Sequence, residues 1–124
     1  MTKVHYKNGV RDGSSVNYFT TGKLREKGNY RKGEKGGPWI VFYDNGQLLF
    51  KGAFKNGKKD GPWVRYWING KIEEKGDWKN GKKDGPWVSY WSNGKIEEKG
   101  DWKNGEKDGP SYRFSSHLFP LSFH

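Results

Sequence analysis

The sequence predicts an all-β fold: an elongated antiparallel meander of tandem β-hairpins with a 24-residue period, built as a single-layer twisted sheet or a β-solenoid-like array. Three observations predict it. Residues 61–84 and 85–108 are one unit written twice, identical at 21 of 24 positions and differing only at Arg65/Ser89, Ile68/Ser92 and Lys82/Glu106. Each unit carries two turn signals rich in Asn and Gly. The runs between them are aromatic and β-branched, or alternate with period 2, as strands do. Period sets architecture before any single motif does, because stacked repeats bury a core only against their neighbours.

Sliding the unit by its own length finds more copies. Residues 37–60 match residues 61–84 at 13 of 24 positions, and residues 13–36 match them at 10 of 24. Met1 to Asp12 is the end of a further copy, and Gly109-Pro110 opens one that is not completed. The repeat array is therefore assigned to residues 1–110, about four full repeats with partial ends, and residues 111–124 to an irregular tail or C-terminal cap. Similarity rises toward the C-terminal pair, which points to late duplication of the last unit.

The first turn signal is Gly22, Asn45-Gly46, Asn69-Gly70 and Asn93-Gly94. Asn-Gly favours φ > 0 at both central positions, so a tight two-residue hairpin turn is expected there. The second signal, Asn56 to Gly61 with copies from Asn80 and Asn104, is expected to be a wider loop. Between them lie Pro62–Trp67 and Lys71–Lys79. Strict alternation in the latter puts Lys71, Glu73, Lys75, Asp77 and Lys79 on a charged face, and Ile72, Glu74, Gly76 and Trp78 on a mixed one. Pro38, Pro62, Pro86 and Pro110 are expected at strand starts, where a missing N–H costs least. Gly28, Gly52, Gly76 and Gly100 fall inside a strand. They mark either a bulge or a place where a large ring lies over bare backbone. The Trp-rich strand that always flanks them favours the ring. A helix is excluded because no apolar pattern at 3.6 survives these glycines. With two strands per unit about 4.8 Å apart, four units extend about 40 Å.

Composition bounds the function. The net charge is +10, the mean hydropathy is −1.16 and 31% of residues are hydrophobic. Such polarity alone would suggest disorder. Against that stand seven each of Trp, Tyr and Phe at regular spacing. Each ring buries about 150–250 Å², so a thin aromatic core is expected. The absence of cysteine excludes a disulfide framework and a thiolate metal site. His5, His117 and His124 have no strong metal-ligand spacing. No apolar run is long enough for a membrane span, and MTKVHYKNGVRDG lacks the apolar centre of a signal peptide. The chain as written reads as cytoplasmic. Tyr6-Lys7-Asn8-Gly9 already sits in repeat phase, which leaves room for an export signal upstream of a fragment. In the tail Ser111 takes the place of Trp. Three readings stay open there: a cap on the sheet edge by Leu118, Phe119, Leu121 and Phe123, a frayed end, or a truncated or frame-shifted reading frame.

The segment Lys75-Gly76-Asp77-Trp78-Lys79-Asn80-Gly81-Lys82-Lys83-Asp84-Gly85 resembles the core of a MORN repeat, an aromatic and glycine-rich hairpin. It departs in having Gly-Pro-Trp where the second half of the usual G-x-G stands, and in its longer period. Those departures, with the Asn-Gly-x-x-x-x-Lys-Gly run, are similar to bacterial MORN-variant repeats labelled antitoxin-like. The resemblance covers Tyr6 to Pro110. It implies a non-enzymatic scaffold whose partner is another protein, a toxin or effector in the bacterial form, or an anionic, phosphoinositide-type lipid.

Two sets of residues are candidates for binding. Trp39, Trp63 and Trp87 form one ladder, Tyr43, Trp67 and Trp91 a second, and Phe54, Trp78 and Trp102 a third. Core packing is the first expectation for each. Three ladders on a sheet with two faces leave some rings for a groove, with the first two ladders as its candidates. Lys58, Lys59, Lys82 and Lys83 are expected to line one basic edge, as edge guards or as a ridge for an acidic partner or anionic membrane. Glu73, Glu74 and Asp77 invite a paired-carboxylate reading, but they recur in the last two units, and an active site needs one unique environment. No catalytic residue, metal or cofactor is assigned. Nucleic-acid binding ranks lower because the lysines alternate with Glu and Asp. Carbohydrate or choline recognition ranks lower because it would require export.

Overall fold

The period-2 runs fold as strands, and the Asn-Gly pairs between them turn the chain back on itself. The structure, a computed structural model, describes residues 2–116 and, as a strand, 120–123. The strands are β1 (Thr2–Lys7), β2 (Val10–Tyr18), β3 (Leu24–Arg31), β4 (Glu34–Phe42), β5 (Leu48–Lys55), β6 (Lys58–Lys59) and β7 (Gly61–Tyr66). They continue as β8 (Ile72–Lys79), β9 (Lys82–Tyr90), β10 (Ile96–Lys103), β11 (Glu106–Lys107), β12 (Tyr112–Phe114) and β13 (Pro120–Phe123). All pair antiparallel in one open sheet in chain order, with the short β6 and β11 beside β5 and β10. This is the meander of hairpins that the repeat period predicts.

The two turn types are exchanged relative to the sequence expectation. At Asn56-Gly57, Asn80-Gly81 and Asn104-Gly105 both residues have φ > 0 (51° and 80° at Asn80-Gly81). These are the tight two-residue hairpins. Lys58–Lys59 and Lys82–Lys83, placed in a wide loop from sequence, are already strand. At Asn69-Gly70 only Gly70 is left-handed, at 91°. Trp67 N donates to Lys71 O at 2.7 Å across three intervening residues, and Gly70 N donates to Trp67 O at 2.9 Å. That is a three-residue loop, in which Asn69 Oδ1 accepts from Lys71 N at 3.0 Å. Asn-Gly serves both geometries, and the dipeptide alone does not distinguish them. The tight turns also stack: Gly81 N donates to Lys59 O at 2.8 Å, and Gly105 N to Lys83 O at 3.0 Å.

Pairing is interrupted at two bulges per unit, and the first also breaks alternation. In β8, Ile72 pairs with Tyr66 and Glu74 with Arg65, so Glu73 is the extra residue. Its carboxylate reaches Arg65 Nε at 3.5 Å rather than joining the face of Lys75 and Asp77. In β9, Asp84 pairs with Asp77 but Val88 with Lys75, so residues 85–87 bulge against β8. Gly85 takes φ 84° there. This relocates the prolines: Pro38 and Pro86 lie inside nine-residue strands rather than at their starts. A bulge tolerates them because its backbone N–H has no ladder partner to lose.

The core follows from the strand glycines. A Cβ built on Gly28, Gly52 or Gly76 would fall within the ring of Trp39, Trp63 or Trp87 respectively. Each tryptophan therefore lies back over the bare backbone of the unit before it. Trp39, Trp63 and Trp87 are the buried apolar residues among those described, at 2%, 6% and 5% exposure. Burying one such ring removes about 150–250 Å² from water, about 4–6 kcal/mol of transfer free energy. The indole N–H of Trp39 donates to Asn29 O at 3.2 Å and that of Trp87 to Asp77 O at 3.0 Å, so these polar edges are not stranded.

At the C-terminal side β12 pairs with β10, and β13 with β12. Of the residues expected to cap this edge, Leu118 and Phe119 lie outside the described residues, as do the side chains of Leu121 and Phe123.

Candidate functional site

The sheet presents two unlike faces. On one, what reads in sequence as two ladders is a single zigzag of rings. Tyr30, Trp39, Phe54, Trp63, Trp78 and Trp87 meet successively edge to face, with centroids 5.5–6.3 Å apart. That is the geometry in which ring quadrupoles attract. The predicted lysines divide over this face. Lys59 Nζ stands 4.8 Å from the Trp63 centroid and 4.5 Å from that of Trp78. Lys83 Nζ stands 4.5 Å from Trp87 and 4.8 Å from Trp102. Lys35, which the sequence places comparably to these lysines, repeats this over Trp39 and Phe54 at 4.7 and 5.1 Å. These ammonium groups roof the aromatic ladder in cation–π contacts. Lys58 and Lys82 are exposed, and their stems pack on the turn glycines Gly81 and Gly105 of the following unit. The tight-turn edge thus carries Lys58 and Lys82, while Lys59 and Lys83 face inward over the rings.

The candidate groove residues also separate. Trp39, Trp63 and Trp87 are enclosed between the strand glycines and the lysine roof. Tyr43, Trp67 and Trp91 are half-buried at the opposite edge of the sheet, beside the three-residue loops. Each sends its polar tip to the next unit: Tyr43 Oη donates to Tyr66 O at 2.8 Å, Trp67 Nε1 to Tyr90 O at 3.1 Å and Trp91 Nε1 to Phe114 O at 3.1 Å. They staple adjacent units and leave ring surface along that edge. The six residues do not form one groove.

The other face holds a pattern that sequence reasoning missed. Lys27, Ile40, Lys51, Val64, Lys75, Val88 and Lys99 are register partners in turn across the sheet. Strand alternation turns them away from the strand glycines and their rings. The four lysines are exposed, the aliphatic residues half-buried, and like charges recur about every 9.6 Å. A lysine held at one position of every unit was the available signal. Along the same strands, Asp77 and Asp101 follow Lys75 and Lys99, whereas Asn29 and Ala53 follow Lys27 and Lys51. The N-terminal half of this face is therefore the more basic.

Among the described residues the ion pairs are few and lie at partly exposed to exposed side chains. Lys83–Glu74 and Lys107–Glu98 meet at 3.9 Å, and Arg113–Glu98 at 3.3 Å. Pairs of this kind contribute about 0–1 kcal/mol and organise no reactive centre. At the N-terminal end, hydrogen bonds to Tyr6 and Tyr30 hold the Arg11 guanidinium above its usual pKa, so it stays charged. Among the described residues no three His, Cys, Asp or Glu side chains come together as a metal site, and no helix is long and apolar enough to cross a membrane.

A family model described as a MORN repeat variant matches residues 11–32, 35–56, 59–80 and 83–104. No curated protein matches the chain. A solved structure of a Staphylococcus aureus TarM mutant in complex with fondaparinux, alpha-GlcNAc-glycerol and UDP is similar at 15% identity and a TM-score of 0.48. The match covers 90% of this chain and 21% of that one, so the chain spans about a fifth of that protein's length.

Proposed function

The chain belongs to the MORN repeat variant family, a family of non-enzymatic interaction repeats, and from that premise we propose that it is itself a scaffold without catalytic activity that binds a partner protein. The observation that carries this reading is the Lys/aliphatic row Lys27–Ile40–Lys51–Val64–Lys75–Val88–Lys99. It supplies apolar contact and positive charge in every unit, whereas the ring face is closed by its own lysines. An acidic partner laid across the strands would meet both. The finer form of the proposal is an antitoxin or immunity role, in which a stoichiometric complex occludes a toxic protein. Affinity capture from the source cell with the full chain, against a V64E/K75E variant, tests it. The expected result is a stoichiometric partner held by the unsubstituted chain and released by the variant. Equal capture by both chains, or no stoichiometric partner, would sink it.

A second reading is supported by the same lysines. Four basic side chains in one line suit an acidic lipid surface, each contributing about 1 kcal/mol. Vesicles containing anionic phospholipid should then bind the chain with an affinity that falls steeply with salt. Salt-insensitive binding would remove this reading.

A further inference from the structure

The face that carries the Lys/aliphatic row carries a second row beside it. Tyr18, Phe42, Tyr66 and Tyr90 stand two residues after Val16, Ile40, Val64 and Val88. Strand alternation therefore brings them to the same face, about 7 Å to one side. Each pairs with a Leu or Ile of the next strand, as Tyr66 does with Ile72 and Tyr90 with Ile96, and all four rings are half-buried. The two rows adjoin, with Lys75 Nζ 5.9 Å from the centroid of Tyr90. On the other side the lysines are bordered by Asp77 and Asp101, which pair with Pro62 and Pro86.

Both rows place one side chain per unit, so lysines and rings each recur about every 9.6 Å along the array. That distance selects the backbone of a chain laid along them. A polyproline II chain has three residues per turn and rises about 3.1 Å per residue, so one side of it recurs about every 9.3 Å. Over the four lysines the two repeats drift apart by only about 1 Å. An α-helix returns the same side every seven residues, about 10.5 Å, and drifts by about 3 Å. An extended strand returns it every second residue, about 6.7 Å, and is out of phase at the first step. Sheet twist turns both rows, and a polyproline II chain, which has no internal hydrogen bonds, bends to follow them.

We propose that this face binds a polyproline II segment with a carboxylate at every third residue and proline between. Each turn of the segment sets one carboxylate against a lysine and one proline against the neighbouring ring, the contact that proline-rich segments make with aromatic surfaces. Asp77 and Asp101 repel carboxylates from the far border, which fixes the side on which the prolines lie. This rests on the row being the surface for an acidic partner, and it adds that partner's backbone and period.

The test titrates the full chain at physiological salt with two peptides of equal length, charge and composition, and reads calorimetry and amide NMR shifts. One peptide is four Glu-Pro-Pro triplets, whose carboxylates are in phase with the lysines. The other is two Glu-Pro-Glu-Pro-Pro-Pro blocks, which meet only every second lysine. The first should bind about tenfold more tightly, for two more lysine contacts, with shifts centred on the strands of Lys27, Lys51, Lys75 and Lys99. K51E/K75E should abolish its binding, whereas K58E/K82E, the same charge change at the tight-turn edge, should keep most of it. Equal affinity for the two peptides, removed by K51E/K75E, overturns the period and leaves the acidic-partner surface standing. Equal loss in the two variants, no saturable binding of either peptide, or binding of anionic phospholipid vesicles in place of the peptides also overturns the proposal.

Discussion

A tryptophan lying on a glycine is the unit of stability, and the pair is asymmetric to mutation. Removing the ring in W63A leaves a cavity between Gly52 and the flanking Phe54 and Trp78 rings, and should cost about 3–5 kcal/mol in chemical denaturation. Adding one methyl in G52A puts a Cβ inside the same ring and should cost about 1–3 kcal/mol through overpacking. A ring merely resting near the glycine would leave G52A neutral, so that variant is the sharper measurement. The lysines separate by the same logic. Among the described residues Lys59 contacts two rings and Lys58 none, so K59M should lower stability by about 0.5–1 kcal/mol while K58M stays near zero. Equal effects of K59M and K58M would mean that the ammonium roof contributes nothing.

At the level of the hairpin, the chain tests which Asn-Gly pair is the tight turn. Asn80 sits at φ 51°, in the left-handed region, whereas Asn69 does not and contributes a side-chain bond to Lys71 N instead. N80A should therefore cost about 1–2 kcal/mol of backbone strain, and N69A less than about 1 kcal/mol. The reverse order would restore the assignment that the dipeptides suggest. Strand existence, antiparallel pairing and the placing of rings over glycines were legible in the sequence, because period 24 and period 2 act on every unit alike. Register was not. The bulge at Glu73 shifts side chains between faces without changing composition, whereas the one at residues 85–87 keeps the faces and bends the strand, with Lys83 over Trp87 and Trp102 on the ring face. A lysine two residues past the Asn80-Gly81 turn reads as an edge guard until its register with Trp78 is known.

The whole molecule is a row of units whose contacts run to nearest neighbours, so its stability should be close to a sum over steps. Deleting residues 61–84 joins Asp60 to Gly85, the junction that Asp84 makes with Gly85 in the intact chain. The shortened chain keeps every turn type and each kind of ring-on-glycine contact, but has one step fewer. It should fold with unchanged far-ultraviolet β signal, lose about 9.6 Å of length in solution scattering, and unfold at lower denaturant. It also loses Lys75 and Val64 from the Lys/aliphatic row. A partner or anionic vesicle that spans the row should bind it more weakly, by about fivefold for a loss of about 1 kcal/mol. A contact confined to one end would leave affinity unchanged, and a cooperative core running through all units would leave the deletion unfolded. Scattering and binding on the same sample therefore decide separately whether the row is modular in folding and whether it is continuous in function.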